Sequence, residues 1–110
     1  MHELAIAEGV VEAIEERIGA ARAVRVVLEV GRLTCVEPDA IRFCFELCAQ
    51  GTALDGAALE IVEVPGRARC RACGADGVAT EGPLPLCPCG SANLELLDGT
   101  QLLVRAVEVV

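Results

Sequence analysis

The chain contains no tryptophan, no tyrosine and no lysine, only two phenylalanines, Phe43 and Phe45, and a single histidine, His2. So few aromatic rings leave no stacking platform for single-stranded nucleic acid. Any core has to be assembled from Val, Leu, Ile, Ala and Cys. Cationic side chains are scarce too: nine arginines face seventeen acids, and the formal charge of -8 repels a phosphate backbone. No uninterrupted apolar run approaches a membrane span. The first twenty residues carry Glu3, Glu8, Glu12, Glu15 and Glu16 and lack the basic start of a secretory signal. Neither nucleic acid nor membrane is expected as a partner, and a cytoplasmic chain is.

What is present suits one domain with a small appendage, since 110 residues of 54% hydrophobic composition can fill a core without disulfide staples. In MHELAIAEGVVEAIEERIGAA, the apolar Leu4, Ala7, Val11, Ile14 and Ile18 recur at steps of three and four. This predicts an amphipathic helix with an acidic outer face, stopped near Gly19. ARAVRVVLEVG predicts a strand with Val24, Val26, Leu28 and Val30 on one face and Arg25, Val27 and Glu29 on the other.

EPDAIRFCFELCAQG has Pro38 and Asp39 in first-turn positions and Gly51 beyond the last periodic residue, so a second helix is predicted there. ALEIVEVP and QLLVRAVEVV alternate as strands. Between them lies a stretch rich in Gly, Pro and Cys. The simplest closed architecture is α+β: a small three-stranded sheet with two helices over residues 1–65 and 99–110, interrupted by a cysteine module over residues 66–98.

Seven cysteines make an odd number, and four of them, Cys70, Cys73, Cys87 and Cys89, fall within twenty residues. In a reducing compartment such clustering indicates metal ligation rather than a disulfide framework. Four thiolates close a tetrahedral structural zinc site and leave no open position for catalysis. Gly74 and Gly90 follow the two pairs and permit tight turns there. The second pair, Cys87-Pro88-Cys89, is one residue shorter than the first. An iron or iron-sulfur site and a redox-active Cys70/Cys73 pair are the alternative readings.

Leu84, Leu86, Leu94 and Leu96 are expected only to cover the site, so metal binding must supply most of the module's folding energy. Arg67, Arg69 and Arg71 are expected as ordinary solvated side chains. Cys35, Cys44 and Cys48 are expected to fill the core as small hydrophobes rather than to bind metal.

Three stretches together, MHELAIAEGVVE, GRLTCVEPDAIRFCFELCAQGTALDGAALEI and the CRAC and CPCGS pairs, resemble the HypA/HybF family of nickel metallochaperones for NiFe-hydrogenase maturation. The resemblance covers nearly the whole chain in order. It implies nickel at the amino terminus, at Met1, His2 and Glu3, and structural zinc at Cys70, Cys73, Cys87 and Cys89. It also implies delivery of Ni2+ to the NiFe-hydrogenase large subunit alongside a hydrogenase maturation GTPase, with urease maturation served in some bacteria, and no catalysed reaction. The shortened second pair departs from the family's usual C-P-x-C-G.

The terminus has suitable chemistry. A bulky second residue such as His2 disfavours removal of Met1. Ni2+ favours square-planar nitrogen donors, and four are within reach: the Met1 amine, the His2 imidazole and the backbone nitrogens of His2 and Glu3. The first amides of a helix have no carbonyl partner, so their deprotonation breaks no hydrogen bond. Two deprotonated amides also neutralise the ion, which removes the dipole penalty of about 0.3 to 1 kcal/mol. The Glu3 carboxylate is then expected to act outside the donor set or against a partner. A thiol-disulfide oxidoreductase using Cys70/Cys73 and a zinc-ribbon interaction module are the competing functions.

Overall fold

The computed structural model describes residues 2–80 and 85–110, with the backbone alone of Ala79 and Thr80. Met1 and Leu84, both singled out in the sequence, lie outside the described residues. Among the described residues, two α-helices and six strands occur in the order α1 (Glu3–Ile18), β1 (Ala23–Gly31), α2 (Pro38–Ala49), β2 (Ala58–Val64), β3 (Gly66–Cys70), β4 (Val78–Thr80), β5 (Leu94–Asp98) and β6 (Leu102–Val109). A 3-10 turn at Arg32–Thr34 follows β1.

The chain forms two compact units, one of Met1–Leu28, Val36–Val62 and Leu103–Val110, the other of Glu29–Cys35 and Glu63–Leu102. In the first, α1 buries Ala7, Val11 and Ile14, and α2 buries Ile41, Phe45 and Ala49. These helical faces, apart from Ile41, share one cluster with Ala23, Val26 and Leu54, against which Val104 and Val107 of β6 also pack. Each fully buried Val, Leu, Ile or Phe side chain contributes roughly 1.5–3 kcal/mol. The helices therefore persist despite Gly9 inside α1.

The first sheet has the order β2-β1-β6. Val110 N–H donates to the Arg22 carbonyl and Gly31 N–H to that of Gln101, so β1 and β6 run antiparallel. Arg25 pairs with Glu60 on β2 and, at 3.0 Å, with Glu108 on β6, tying all three strands on their exposed side. Among partly exposed groups such pairs contribute little.

Several expected placements are corrected. Val24 is exposed, whereas Val27, assigned to the face of Arg25 and Glu29, is buried together with Val26 and Leu28. Val27 sits at the centre of the middle strand between the part-buried Arg25 and Glu29, flanked by β2 and β6, whereas Val24 lies near the strand's end, so position along the strand overrides the simple alternation. Leu4 is also exposed, although the periodicity of α1 assigns it to the inner face. Cys35 is exposed rather than core-filling. It closes the 3-10 turn with a left-handed φ of 59°. Cys44 and Cys48, by contrast, do pack against the core cluster.

The second unit is more ordered than a cover of leucines over a metal. It holds a second sheet of order β4-β3-β5. Along β3, Ala68 and Cys70 are buried and alternate with the exposed Arg67 and Arg69. That alternation of small and charged residues is a strand signal hidden by the absence of large apolar side chains. β3 pairs antiparallel with both neighbours, and its register with β5 sets Cys70 opposite Leu94.

Candidate metal centres

The cysteine centre is assembled by that register. β3 ends on Cys70, and β5 begins on Leu94, directly after the turn that carries Cys87 and Cys89. Arg71 N–H donates to the Asn93 carbonyl at 2.9 Å, and the Arg71 guanidinium reaches Asn93 Oδ1 and the Leu94 carbonyl at 3.4 and 3.3 Å. These bonds clamp the two cysteine turns side by side. Arg71 is therefore a strap rather than a free surface charge. Arg69 lies 3.6 Å from Asp76 and 3.8 Å from Glu95, loose exposed pairs.

The two turns share one bonding scheme at different lengths. In the first, Gly74 N–H donates to the Cys70 carbonyl and Cys70 N–H to that of Ala75; in the second, Gly90 N–H donates to the Cys87 carbonyl and Cys87 N–H to that of Ser91. Each loop of the second turn is one residue shorter, so the contraction around Pro88 removes a residue and keeps both closing bonds. Gly74 and Gly90 take φ of 77° and 92°, open to glycine at little steric cost.

The outcome is a tight set of sulfurs. The Sγ atoms of Cys70, Cys73, Cys87 and Cys89 all lie within 4.8 Å of one another. Cys70 to Cys89 is 3.7 Å and Cys73 to Cys87 is 3.6 Å. Tetrahedral zinc with Zn–S of about 2.3 Å requires S···S separations of about 3.8 Å. Two of the six separations match that value and the others stay within 4.8 Å, so the four thiols fit a structural zinc with at most small side-chain shifts. Among the described residues this is the one group of three or more His, Cys, Asp or Glu close enough to share an ion. Cys35, Cys44 and Cys48 are not part of it.

Electrostatics also suits a cation. Cys73 N–H points at Cys70 Sγ at 3.4 Å, and that amide is the leading cause holding the Cys70 thiol down at about 6. At Cys87 the amide of Cys89 acts in the same direction, yet burial and hydrogen bonds to the other three sulfurs together push the thiol up to about 12. Four packed sulfurs cannot all carry a charge alone. A divalent ion at their centre removes that conflict. Exchange chemistry at Cys70/Cys73 is not favoured, since both thiols already belong to this four-sulfur set.

The amino terminus is built differently. His2 is exposed and occupies the N-cap of α1 with no side-chain capping bond. Its carbonyl accepts the Ile6 amide at 3.1 Å. The N–H groups of the first helical turn, beginning with Glu3, are the ones a helix leaves without carbonyl partners.

Glu3 has a role that the sequence did not disclose. Its Oε2 accepts the backbone N–H of Glu37 at 3.1 Å. Glu37 is the N-cap of α2, whose own side chain makes no capping bond, and Pro38 has no N–H to offer. Glu3 thus supplies from 34 positions away the acceptor that this helix start lacks. The Glu37 amide is the leading cause holding the Glu3 carboxyl below its ordinary range. No local pattern in VEPDAIRF announces this contact, because a capping acid is normally sought within a few residues.

A family model described as hydrogenase/urease nickel incorporation, metallochaperone, hypA matches residues 1–109. The chain belongs to the HypA family. It is 49% identical over 109 residues to the hydrogenase maturation factor HypA of Trichormus variabilis, covering 99% of this chain and 96% of that one. The HypA factor of Azotobacter chroococcum is 47% identical over 113 residues, at 99% of each chain. The solution structure of the Ni metallochaperone HypA from Helicobacter pylori aligns with 100% of this chain and 98% of its own, with a TM-score of 0.67 at 20% identity, and so shares the fold. HypA members are nickel metallochaperones of hydrogenase maturation. Nickel is the family's cargo, and the four-sulfur set fits its structural zinc.

Proposed function

We propose that this chain captures Ni2+ at its amino terminus through the Met1 amine, the His2 imidazole and the backbone nitrogens of His2 and Glu3. It passes the ion to the NiFe-hydrogenase large subunit, together with a hydrogenase maturation GTPase, in the cytoplasm and without catalysing a reaction. Residues 1–65 and 99–110 act as the nickel-binding domain. Residues 66–98 form the zinc-binding module, with Cys70, Cys73, Cys87 and Cys89 as ligands.

The observation that carries the nickel assignment is His2 at the N-cap of α1, exposed and without a capping bond, next to amides that no helical carbonyl claims. Glu3 supports the same reading from the other side. Its carboxylate is occupied by the Glu37 amide, which leaves the backbone nitrogen of Glu3, rather than its side chain, for the metal. The Glu3 side chain thereby holds the start of α1 against the start of α2 and steadies the terminus on which the ion sits.

Calorimetric titration of untagged protein with Ni2+ tests the assignment. One nickel per chain is expected, lost in His2→Ala and equally lost when one residue is added before Met1. Normal uptake by either variant would remove the terminus as the site. Nitrogen donors bind a metal only without their protons, so nickel affinity should fall as the solution is acidified.

A further inference from the structure

The apolar row of α1 begins with Leu4, which is 51% exposed. On α2, Phe43 and Leu47 lie one turn apart and are 64% and 47% exposed, so one of the chain's two aromatic rings stands in solvent. Between the helices runs an open groove of about 460 Å³, floored by Leu4, Val11, Leu47 and Cys48 and edged by Glu8, Glu12 and Glu15.

The three acids follow at steps of four and three along one face of α1. Glu15 is anchored by the Ala53 amide at 3.4 Å. No arginine pairs with Glu8 or Glu12 among the described residues. On the groove floor the Cys48 thiol is pushed up first by burial and then by the carboxylate of Glu8. Glu8 and Glu12 repel one another at this spacing. A cationic guest with an apolar stripe would relieve that repulsion and cover the exposed floor together.

We infer that this groove seats a basic amphipathic helix of a partner protein. The choice of a helix follows from hydrogen bonding. Apart from Thr52 in the turn after α2, the groove is lined by the two helices, most of whose backbone groups are bonded within the helix, so it offers mainly side chains. A guest must satisfy its own backbone, which a helix does and an extended segment does not. From Leu4 to Glu15 the wall measures about 16 Å, room for three turns of guest helix. The groove starts two residues beyond His2, so a seated partner lies beside the terminus. In that respect alone the inference rests on the nickel reading.

The test uses full-length protein and a fluorescent synthetic Leu/Lys helical peptide of about four turns, with a Leu/Glu peptide and a proline-broken Leu/Lys peptide as comparisons, read by anisotropy. The intact Leu/Lys peptide should bind best, and more weakly as salt rises. Glu8→Gln with Glu12→Gln should weaken it about tenfold, as should Leu47→Ser, while Glu16→Gln with Glu63→Gln should change it less than about twofold. Circular dichroism confirms that each variant is folded.

Equal losses from the two charge pairs would reduce the effect to net charge and overturn the inference. Equal binding of the proline-broken peptide would overturn the helical guest. Self-association in sedimentation that Leu47→Ser abolishes would assign the groove to a second copy and overturn it as well. His2→Ala should retain peptide binding while losing nickel. Failed docking with His2-dependent nickel uptake intact sinks this inference alone, and the converse result sinks the nickel reading alone.

Discussion

The two units of this chain are held together by different physics. In the helical unit, Val11, Ile14, Val26, Ile41, Phe45 and Leu54 are among the buried side chains, drawn from both helices, a strand and a loop. In the cysteine unit, the buried apolar residues among those described narrow to Val30, Ala68, Cys70 and Cys87, two of which are metal-ligand candidates. One unit can stand on the hydrophobic effect. The other has a scaffold of short strands and clamped turns whose centre is chemistry rather than hydrocarbon.

The largest expected effect breaks the comparison from the cysteine side. Chelating the zinc, or replacing Cys73 by Ser, should remove on the order of 10 kcal/mol of metal-linked folding energy. Hydrogen exchange should then show loss of protection across β3 and β5, with α1 still protected. Parallel loss in α1 would mean that the helical unit depends on the metal after all.

A middle-sized effect breaks it from the other side. Leu54 is fully buried, and Leu54→Ala should cost about 2–5 kcal/mol in chemical denaturation, the range for deleting a packed side chain. Zinc content, measured by elemental analysis, should stay at one per chain. A variant that lost its zinc would show the two units to be energetically one.

The smallest effect sharpens the comparison at the terminus. The Glu3 carboxyl is held below its ordinary 4.5, first by the Glu37 amide. Its contribution to stability is therefore present above the ordinary carboxylate range and lost as pH falls through the lowered value. The Glu37 amide resonance should shift on acidification with a midpoint below 4.5, and the shift should vanish in Glu3→Gln. A midpoint at the ordinary value would show the contact to be absent in solution.

Much of this was legible from local pattern. Pro38 and Asp39 mark the start of α2, Gly19 the stop of α1, and the cysteine pairs mark the metal module. Such signals lie within a few residues of the element they shape. β3 escaped because Ala68 and Cys70 are too small to register as an apolar alternation. Leu54 escaped because a loop leucine has no periodicity. Val24 and Val27 exchanged roles because position along the strand, near its end or at its flanked centre, is not encoded in its own alternation.

By itself the sequence supplied the candidate donors: a terminus of Met1, His2 and Glu3, and four thiols in two glycine-closed pairs. Donor chemistry resides in side chains and in neighbours along the chain, so it can be read without a fold. Only the tertiary structure decided that Cys70 and Leu94 stand opposite and bring the pairs together, that Glu3 caps α2 through the Glu37 amide, and that Leu4 and Phe43 remain outside. Those outcomes join positions more than twenty residues apart, or depend on which neighbour covers a face. They are settled by packing and backbone hydrogen bonding rather than by local preference.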